Sequence, residues 1–252
     1  MRIVALIPAR MAATRFPGKP LALIKGLPMI EHVRRRALLC ALLDEVLVAT
    51  CDPEICRVVE EAGGKAVMTA DTHLRCTDRI AEAALGMQAD VVVNLQGDEP
   101  LVMPEMLELV ARPLLEDPEL PAANLVSPIT DQAEFNDPNA PKVVTNLAGD
   151  ILYISREPIP SGKKADSQQY RKLKQLGIIA FRGDFLQTFT RLSPTPLEVI
   201  ESVDMNRALE HGYRVRAVEV PGRMVGVDLP GDVARVEALL ESDPLYPRYR
   251  LG

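Results

Sequence analysis

Five charged residues in this chain are of the right type and spacing to handle a phosphate chain. Arg10, Arg15 and Lys19 fall in one stretch, PARMAATRFPGKPL, running from Pro8 to Leu21. Arginine forks grip phosphate through two parallel hydrogen bonds, and lysine adds a point charge. Gly18 and the prolines of the stretch shape a tight path, but no GxxxxGK[ST] is present, so this is not a Walker A loop. Asp98 lies in NLQGDEP, where Gly97 permits a close backbone turn. A carboxylate there suits Mg²⁺, a hard cation that takes oxygen ligands and bridges substrate phosphates. Pro104 and Glu105 can start the next helix, which leaves Asp98 free for function. Asp228, in GVDLPGD, reads by itself as an ordinary helix N-cap. Paired with Asp98 on the same edge of a sheet, it becomes a second metal carboxylate. His73, in DTHLRCTDR, reads alone as a structural hydrogen-bonding group, and no Ser/His/Asp arrangement is legible.

These residues need a sheet to bring them together. Strand-like and helix-like segments alternate: RIVAL, PMIEHVRRRALLCALL, EVLVAT, DPEICRVVEEAGG, KAVMT, TDRIAEAALGM, ADVVVNLQ, PEMLELVARPLL. The alternation predicts an α/β fold with a doubly wound, mostly parallel sheet, and ligands bind such sheets at the carboxyl ends of their strands. Both the Pro8–Lys19 stretch and QGDEP follow strands directly. In the first helix Met29, Ile30, Val33, Ala37, Leu38 and Ala41 share one face, with Pro28 in the first turn, and Arg34 to Arg36 are expected on a solvated surface. Asp52 is expected to cap the second helix, with Pro53 at its first position and Gly63–Gly64 ending it. Thr77 or Asp78 is expected to cap the third.

The second half is less regular. AANLVSPI reads as a strand, KVVTNLAGDILYISR as a hairpin turning near Ala148–Gly149, and QLGIIAFR as a strand. Residues 157–174 read as a long mobile loop. TPLEVIESVDMNRALEHG reads as one long helix ending at Gly212, followed by the strand YRVRAVEVP. Asp228 is placed after a last strand in MVGVDL and before a final helix in PGDVARVEALLES.

Composition narrows the function further. The chain has 252 residues, 47% of them hydrophobic, enough for one large domain or a domain with an insertion. A net charge of −6 argues against general nucleic-acid binding, and 4% aromatic content without tryptophan argues against stacking on single strands. The N-terminal apolar run, Ile3 to Ile7, is too short for a signal core or a membrane span. Cys40, Cys51, Cys56 and Cys76 form no CxxC pair, so zinc is not expected, and reduced thiols are. The expectation is a cytoplasmic enzyme for small anions, with no nucleic-acid or membrane partner.

Taken in order, IPARMAATRFPGKPL, GLPMIEHV, VATCD, THLRCTDR, VNLQGDEPL, FNDPNAPKVV, LYISREPIP, LGIIAFR, PLEVIE and GVDLPGDVARVEALL resemble the 3-deoxy-manno-octulosonate (KDO) cytidylyltransferases. The resemblance spans nearly the whole chain. It implies a Rossmann-like nucleotidyltransferase domain over residues 1–252, with a smaller insertion near 130–195 that forms a homodimer interface and covers the sugar site. It implies transfer of CMP from CTP to the anomeric hydroxyl of KDO or a related sugar acid, with two Mg²⁺ ions and no covalent enzyme intermediate. Arg10, Lys19, Asp98 and Asp228 carry catalysis on this reading, Asp98 and Asp228 as metal carboxylates. Pro8, Ala9, Arg10, Arg15 and Lys19 would bind CTP together with Thr77, Arg79 and Gln96. His73, Arg75, Gln96, Gln175, Phe181 and Asp204 would face the sugar acid.

The phosphate and metal positions match the family, whereas several positions around the sugar acid depart from it. Arg75 and Cys76 stand where the family has Ser-Gly, and Gln175 where it has His. Ile179, Ala180 and Phe181 replace Tyr-Gly-Tyr, and Asp204–Met205 replaces Glu-Gln. Gln175 keeps hydrogen bonding without a titratable cation, and Met205 cannot donate as an amide does. The alternative acceptors are therefore an amino-KDO, another ulosonic acid or another small acid. A UTP- or GTP-using enzyme is disfavoured by the lack of a Gly-rich first loop, and a catalytically dead domain by the intact phosphate and metal residues.

Overall fold

The protein is described here by a computed structural model, which covers residues 1–12, 15–73, 75–164, 170–221 and 224–250. The chain divides into two compact units, Met1–Glu108 with Met224–Gly252, and Leu109–Arg223. Among the described residues, no helix is long and apolar enough to cross a membrane.

The first unit is built on four parallel strands. β1 (Ile3–Ala9) is buried along its whole length, as its unbroken apolar run predicts for a strand covered on both faces. A 3₁₀ turn (Lys19–Leu21) and a short hairpin of β2 (Leu23–Ile24) and β3 (Leu27–Pro28) lead into α1 (Met29–Ala37). Then follow β4 (Glu45–Thr50), α2 (Pro53–Glu61), β5 (Lys65–Met68), α3 (Cys76–Ala83), β6 (Val91–Leu95) and α4 (Pro104–Glu116). β4 and β6 flank β1, and β5 lies outside β4, all in parallel register. The chain thus winds outward from β1 through β4 to β5 and returns on the other side of β1 as β6. That reversal opens a crevice at the carboxyl ends of β1 and β6, where ligands bind in sheets of this kind. After the second unit the chain re-enters the first and closes with α9 (Asp232–Leu240) and α10 (Tyr246–Tyr249).

The arginines of α1 do not face solvent as expected. Arg36 is fully buried and Arg34 nearly so. Arg34 donates twice to Glu31 at 2.7 Å, and Arg35 donates to it at 2.9 Å. Arg36 donates to the carbonyls of Val102 (2.6 Å) and Leu101 (3.3 Å) and to Asp243 (2.9 Å). The helix face that periodicity assigns to solvent is covered by segments distant in sequence. The helix also stops at Ala37, short of the apolar run, and Pro28 is its N-cap rather than its first residue. Arg75 is the N-cap of α3, two or three residues before the expected Thr77 or Asp78.

In the second unit, β7 (Ala122–Pro128) precedes α5 (Gln132–Asn136), the hairpin β8 (Lys142–Thr145) and β9 (Ile151–Ser155), and β10 (Leu173–Arg182). Next come α6 (Gly183–Phe189), α7 (Pro196–Glu201), α8 (Met205–Glu210) and β11 (Val215–Glu219). β7 pairs parallel with β11 and antiparallel with β10, and β10 pairs antiparallel with β8. The boundary between the units falls within α4. The unit contains the predicted insertion, 130–195, and extends beyond it on both sides.

Three expectations change here. The single long helix is two, because Ser202 adopts a left-handed backbone (φ 51°) between α7 and α8. Arg207 bonds Glu198 at 2.7 Å, and nine residues of continuous helix would separate the pair by about 13 Å along the axis, so the chain must fold back. Glu201 adds to the break by accepting from Ser155 Oγ at 2.8 Å and Arg156 N–H at 2.8 Å. The loop expected over 157–174 gives way to β10 at Leu173, and its residues 165–169 lie outside the described residues. Residues 224–228 form no strand, so Asp228 follows irregular backbone.

Candidate active site

The crevice at the ends of β1 and β6 holds a cavity of about 260 Å³. Pro8, Ala9, Arg10, Arg15 and Lys19 line it from the first loop, Gln96 and Asp98 from the second, and Asp228 from the segment before α9. The first two loops approach closely: a Cβ on Gly97 would stand 2.9 Å from the carbonyl oxygen of Pro8, so only glycine fits there. The third segment is tied in by Val227 N–H, which donates to the carbonyl of Asp98 at 2.9 Å.

Two cations of this cavity, Lys19 and Arg15, are paired with its carboxylates. Lys19 Nζ donates to Asp98 Oδ2 at 2.6 Å and to the Val227 carbonyl at 2.9 Å. Arg15 meets Asp228 Oδ1 at 2.8 Å, both side chains being more than half exposed. Asp228 is not the cap of α9. The backbone N–H groups of Asp228 and Leu229 donate instead to Asp232, at 2.9 and 2.8 Å. Gly18 holds the turn before Lys19 with φ 72°, a conformation that glycine adopts without strain.

A narrow annex of about 40 Å³ shares Pro8, Ala9, Arg10 and Cys76 with the main cavity and adds His73, Arg75 and Arg79. Arg79 is buried. Its Nη1 donates to the Ala70 carbonyl at 3.3 Å and to Thr69 Oγ1, while its Nη2 has no hydrogen-bond partner among the described residues. A buried, unsatisfied guanidinium nitrogen is costly unless a ligand completes it. Thr77 is buried in the first turn of α3. His73 is held through Nε2 against Glu82, which also accepts from Ala70 N–H at 2.9 Å. That backbone donor, and then His73, keep the Glu82 carboxyl below its usual range.

The residues expected to face a sugar acid from the second half are placed in the second unit. Gln175 donates to Asn124 Oδ1 at 2.7 Å, beside the irregularity of β10 between Gln175 and Ile179. Asn124 is itself buried and donates to the carbonyls of Leu176 and Ile178. Phe181 is fully buried, with its ring 5.9 Å from Phe189 and 6.5 Å from Phe185, so it is a core side chain with no surface to offer a ligand. Asp204 stands at the N-cap of α8. Sequence reasoning had not singled out Phe16, Pro20 and Met29, which complete the wall of the main cavity. Their apolar types carry no signal that separates them from core residues.

A cytidylyltransferase family profile matches residues 4–217. The chain is 43% identical over 245 residues to a 3-deoxy-manno-octulosonate cytidylyltransferase of Geobacter metallireducens, covering 94% of this chain and 96% of that one. It is 46% identical over 242 residues to the enzyme of that name from Syntrophus aciditrophicus, with 95% and 97% covered. A solved structure of a CMP:2-keto-3-deoxy-manno-octonic acid synthetase complexed with CTP superposes with a TM-score of 0.91 at 41% identity, over 96% of this chain and 99% of that one. A 4-diphosphocytidyl-2C-methyl-D-erythritol synthase from Anaerococcus prevotii shares the fold at a TM-score of 0.65 and 13% identity, over 95% and 98% of the two chains. The α/β fold, the cavity at its strand ends and these likenesses agree: the chain belongs to the 3-deoxy-manno-octulosonate cytidylyltransferase family.

Proposed function

We propose that the protein transfers CMP from CTP to the anomeric hydroxyl of KDO and releases pyrophosphate. One observation carries the chemistry: Arg10, Arg15 and Lys19 line the same cavity as Asp98 and Asp228. The sugar hydroxyl attacks the α-phosphorus in line. A new P–O bond forms, the bond to the bridging α–β oxygen breaks, and pyrophosphate leaves with the electron pair, while the hydroxyl proton passes to solvent. No covalent intermediate on the protein is needed, so the residues act by positioning and by stabilising charge. Lys19 and the two arginines neutralise the phosphate oxygens. Gln96, which lines the cavity, would hydrogen-bond nucleotide or sugar. Arg79 and the annex suit the base, because the free Nη2 of Arg79 seeks an acceptor such as a carbonyl oxygen.

The donor set suits Mg²⁺, with carboxylate oxygens on two separate loops in one cavity. Among the described residues no group of three or more His, Cys, Asp or Glu side chains forms a self-sufficient metal cage. Asp98 and Asp228 would therefore hold an ion that takes its remaining ligands from phosphate and water. Bound there, Mg²⁺ supplies charge neutralisation at the triphosphate.

The acceptor on this reading is KDO itself. The altered acceptor suggested by Arg75, Cys76, Gln175, Asp204 and Met205 is not favoured, since relatives alike over nearly the whole chain share one named activity. The active form is a homodimer, supported by Leu147, Leu152, Val199 and Ile200, apolar side chains that the second unit leaves exposed. A cytoplasmic location fits Cys40, Cys51, Cys56 and Cys76, which are joined in no disulfide among the described residues.

The deciding experiment measures pyrophosphate release with CTP and KDO, with the product identified by mass. CMP-KDO formation selective for CTP over UTP and GTP is expected. Equal turnover with UTP, or no product with KDO where another acid reacts, overturns the assignment.

A further inference from the structure

Asp52 stands where sequence predicts a helix cap, and its backbone does precede α2, yet its side chain makes no capping bond. The carboxylate reaches out of its own βα unit instead. Its Oδ2 accepts the backbone N–H of Met11 at 2.8 Å, across 41 residues of sequence. Met11 immediately follows Arg10, and its own carbonyl accepts the Gly18 N–H at 3.0 Å. Lys19, which follows Gly18, starts the 3₁₀ turn. One residue thus closes the base of the cationic loop, and Asp52 holds that residue.

The anchor is itself firmly placed. Asp52 N–H donates to Thr50 Oγ1 at 3.1 Å, and Thr50 is fully buried at the end of β4. The Asp52 carbonyl accepts from Ile55 and Cys56 N–H, at 3.1 and 3.2 Å, in the first turn of α2. Strand end and helix start therefore fix the carboxylate before it meets the loop. A charge-assisted bond from such an anchor is among the stronger single contacts a backbone N–H can make. The first loop has no other side-chain acceptor in this role among the described hydrogen bonds of Met11. Asp52 does not line the cavity and touches no reacting group.

We infer that Asp52 is a positioning residue for the nucleotide: it sets the path of the loop that presents Arg10, Arg15 and Lys19. The inference rests on the reading of that loop as the CTP-phosphate site. Asp52→Ala removes the acceptor, whereas Asp52→Asn keeps an oxygen able to accept from Met11. Loss of a bond of this strength predicts a KM for CTP raised about tenfold or more in Asp52→Ala, with the KM for KDO unchanged. Asp52→Asn is expected to stay within about threefold of the parent, being a neutral acceptor in place of a charged one.

Amide hydrogen exchange supplies a readout independent of nucleotide. In the ligand-free protein, the Met11 amide is expected to lose protection in Asp52→Ala and keep it in Asp52→Asn. Unchanged Met11 protection in Asp52→Ala, equal losses in both variants, or KM values for CTP and KDO that rise together all overturn the inference. A parent enzyme that does not bind CTP, with the exchange pattern still as expected, overturns the nucleotide reading and leaves the Asp52–loop link standing.

Discussion

Two sets of cations in the first unit look alike in sequence and differ in what they do. Arg34, Arg35 and Arg36 are consecutive on α1, and Arg10, Arg15 and Lys19 are scattered through a loop with prolines and a glycine. The helical set is saturated by the protein. Arg36 has no exposed surface and donates to two backbone carbonyls and Asp243. In the loop set, Lys19 and Arg15 are each paired with a carboxylate that itself lines the cavity, Lys19 also reaching the Val227 carbonyl, and Arg15 with Asp228 is open to solvent. A cation whose partners are fixed carbonyls serves the fold. A cation whose partner is another cavity residue can trade it for a ligand.

The largest effect should follow from breaking the loop set at its least exposed pair. Asp98→Ala removes the partner of Lys19 and a proposed metal carboxylate together. Turnover measured by pyrophosphate release is expected to fall about a thousandfold, as when a preorganised charge is deleted from an active site. Thermal stability should change little, because both groups retain access to water. Unchanged turnover would remove Asp98 from the chemistry and erase the contrast between the two sets.

Arg36→Ala tests the other side. It strands Asp243 and leaves the Leu101 and Val102 carbonyls without their donor. Breaking a buried pair by deleting one partner costs about 3 kcal/mol, to be read from denaturant unfolding. The kcat of the folded fraction should match the parent. A large loss of kcat at full stability would mean that α1 also serves the site, and the division drawn here would fail.

A subtler effect separates the two roles of the loop pairs. With Lys19 and Arg15 paired to Asp98 and Asp228, the cavity offers metal-free CTP a reduced positive charge. Asp98→Asn releases Lys19 from that competition. Affinity for CTP in EDTA, measured by calorimetry, is expected to rise about tenfold even as metal-dependent turnover falls. Weaker binding in EDTA would show that Asp98 orients Lys19 rather than competing for it.

The same contrast explains which features were legible in the sequence. β1, β4 and β6 are short apolar runs ended by loops of unusual composition, so the parallel sheet and its ligand edge followed from pattern alone. Arg10, Arg15, Lys19 and Asp98, which line one cavity, stand out in the sequence because charge directly after a buried strand has few structural uses. The arginines of α1 were misplaced because periodicity records polarity, and nothing local announces that residues 101–103 and Asp243 will cover them. Asp52 was read as a cap because an Asp before Pro is the usual cap pattern, and its bond to Met11 joins distant segments. The break between α7 and α8 depends on the pairing of Glu198 with Arg207, which an unbroken helical pattern conceals.

The smallest effect concerns pH and again turns on α1. His32 is fully buried, its Nε2 donating to the Ile24 carbonyl at 2.8 Å and its Nδ1 meeting Tyr249 Oη at 2.9 Å. With Nε2 committed as donor, Nδ1 accepts from the tyrosine and the ring is neutral. Burial lowers its pKa below the ordinary 6.5, and the nearby positive charges of Arg36 and Arg35 lower it further, against the opposing pull of the Ile24 carbonyl. The unfolded chain therefore takes up a proton near pH 6.5 that the folded chain refuses, so this contribution is complete above that pH and fades as pH falls through it. Between pH 7.5 and 5.5 the parent should lose unfolding free energy on this account. His32→Gln lowers stability at every pH but should flatten this part of the slope. An unchanged slope would mean that burial, with the arginines of α1 beside it, does not keep the His32 ring neutral in the folded chain.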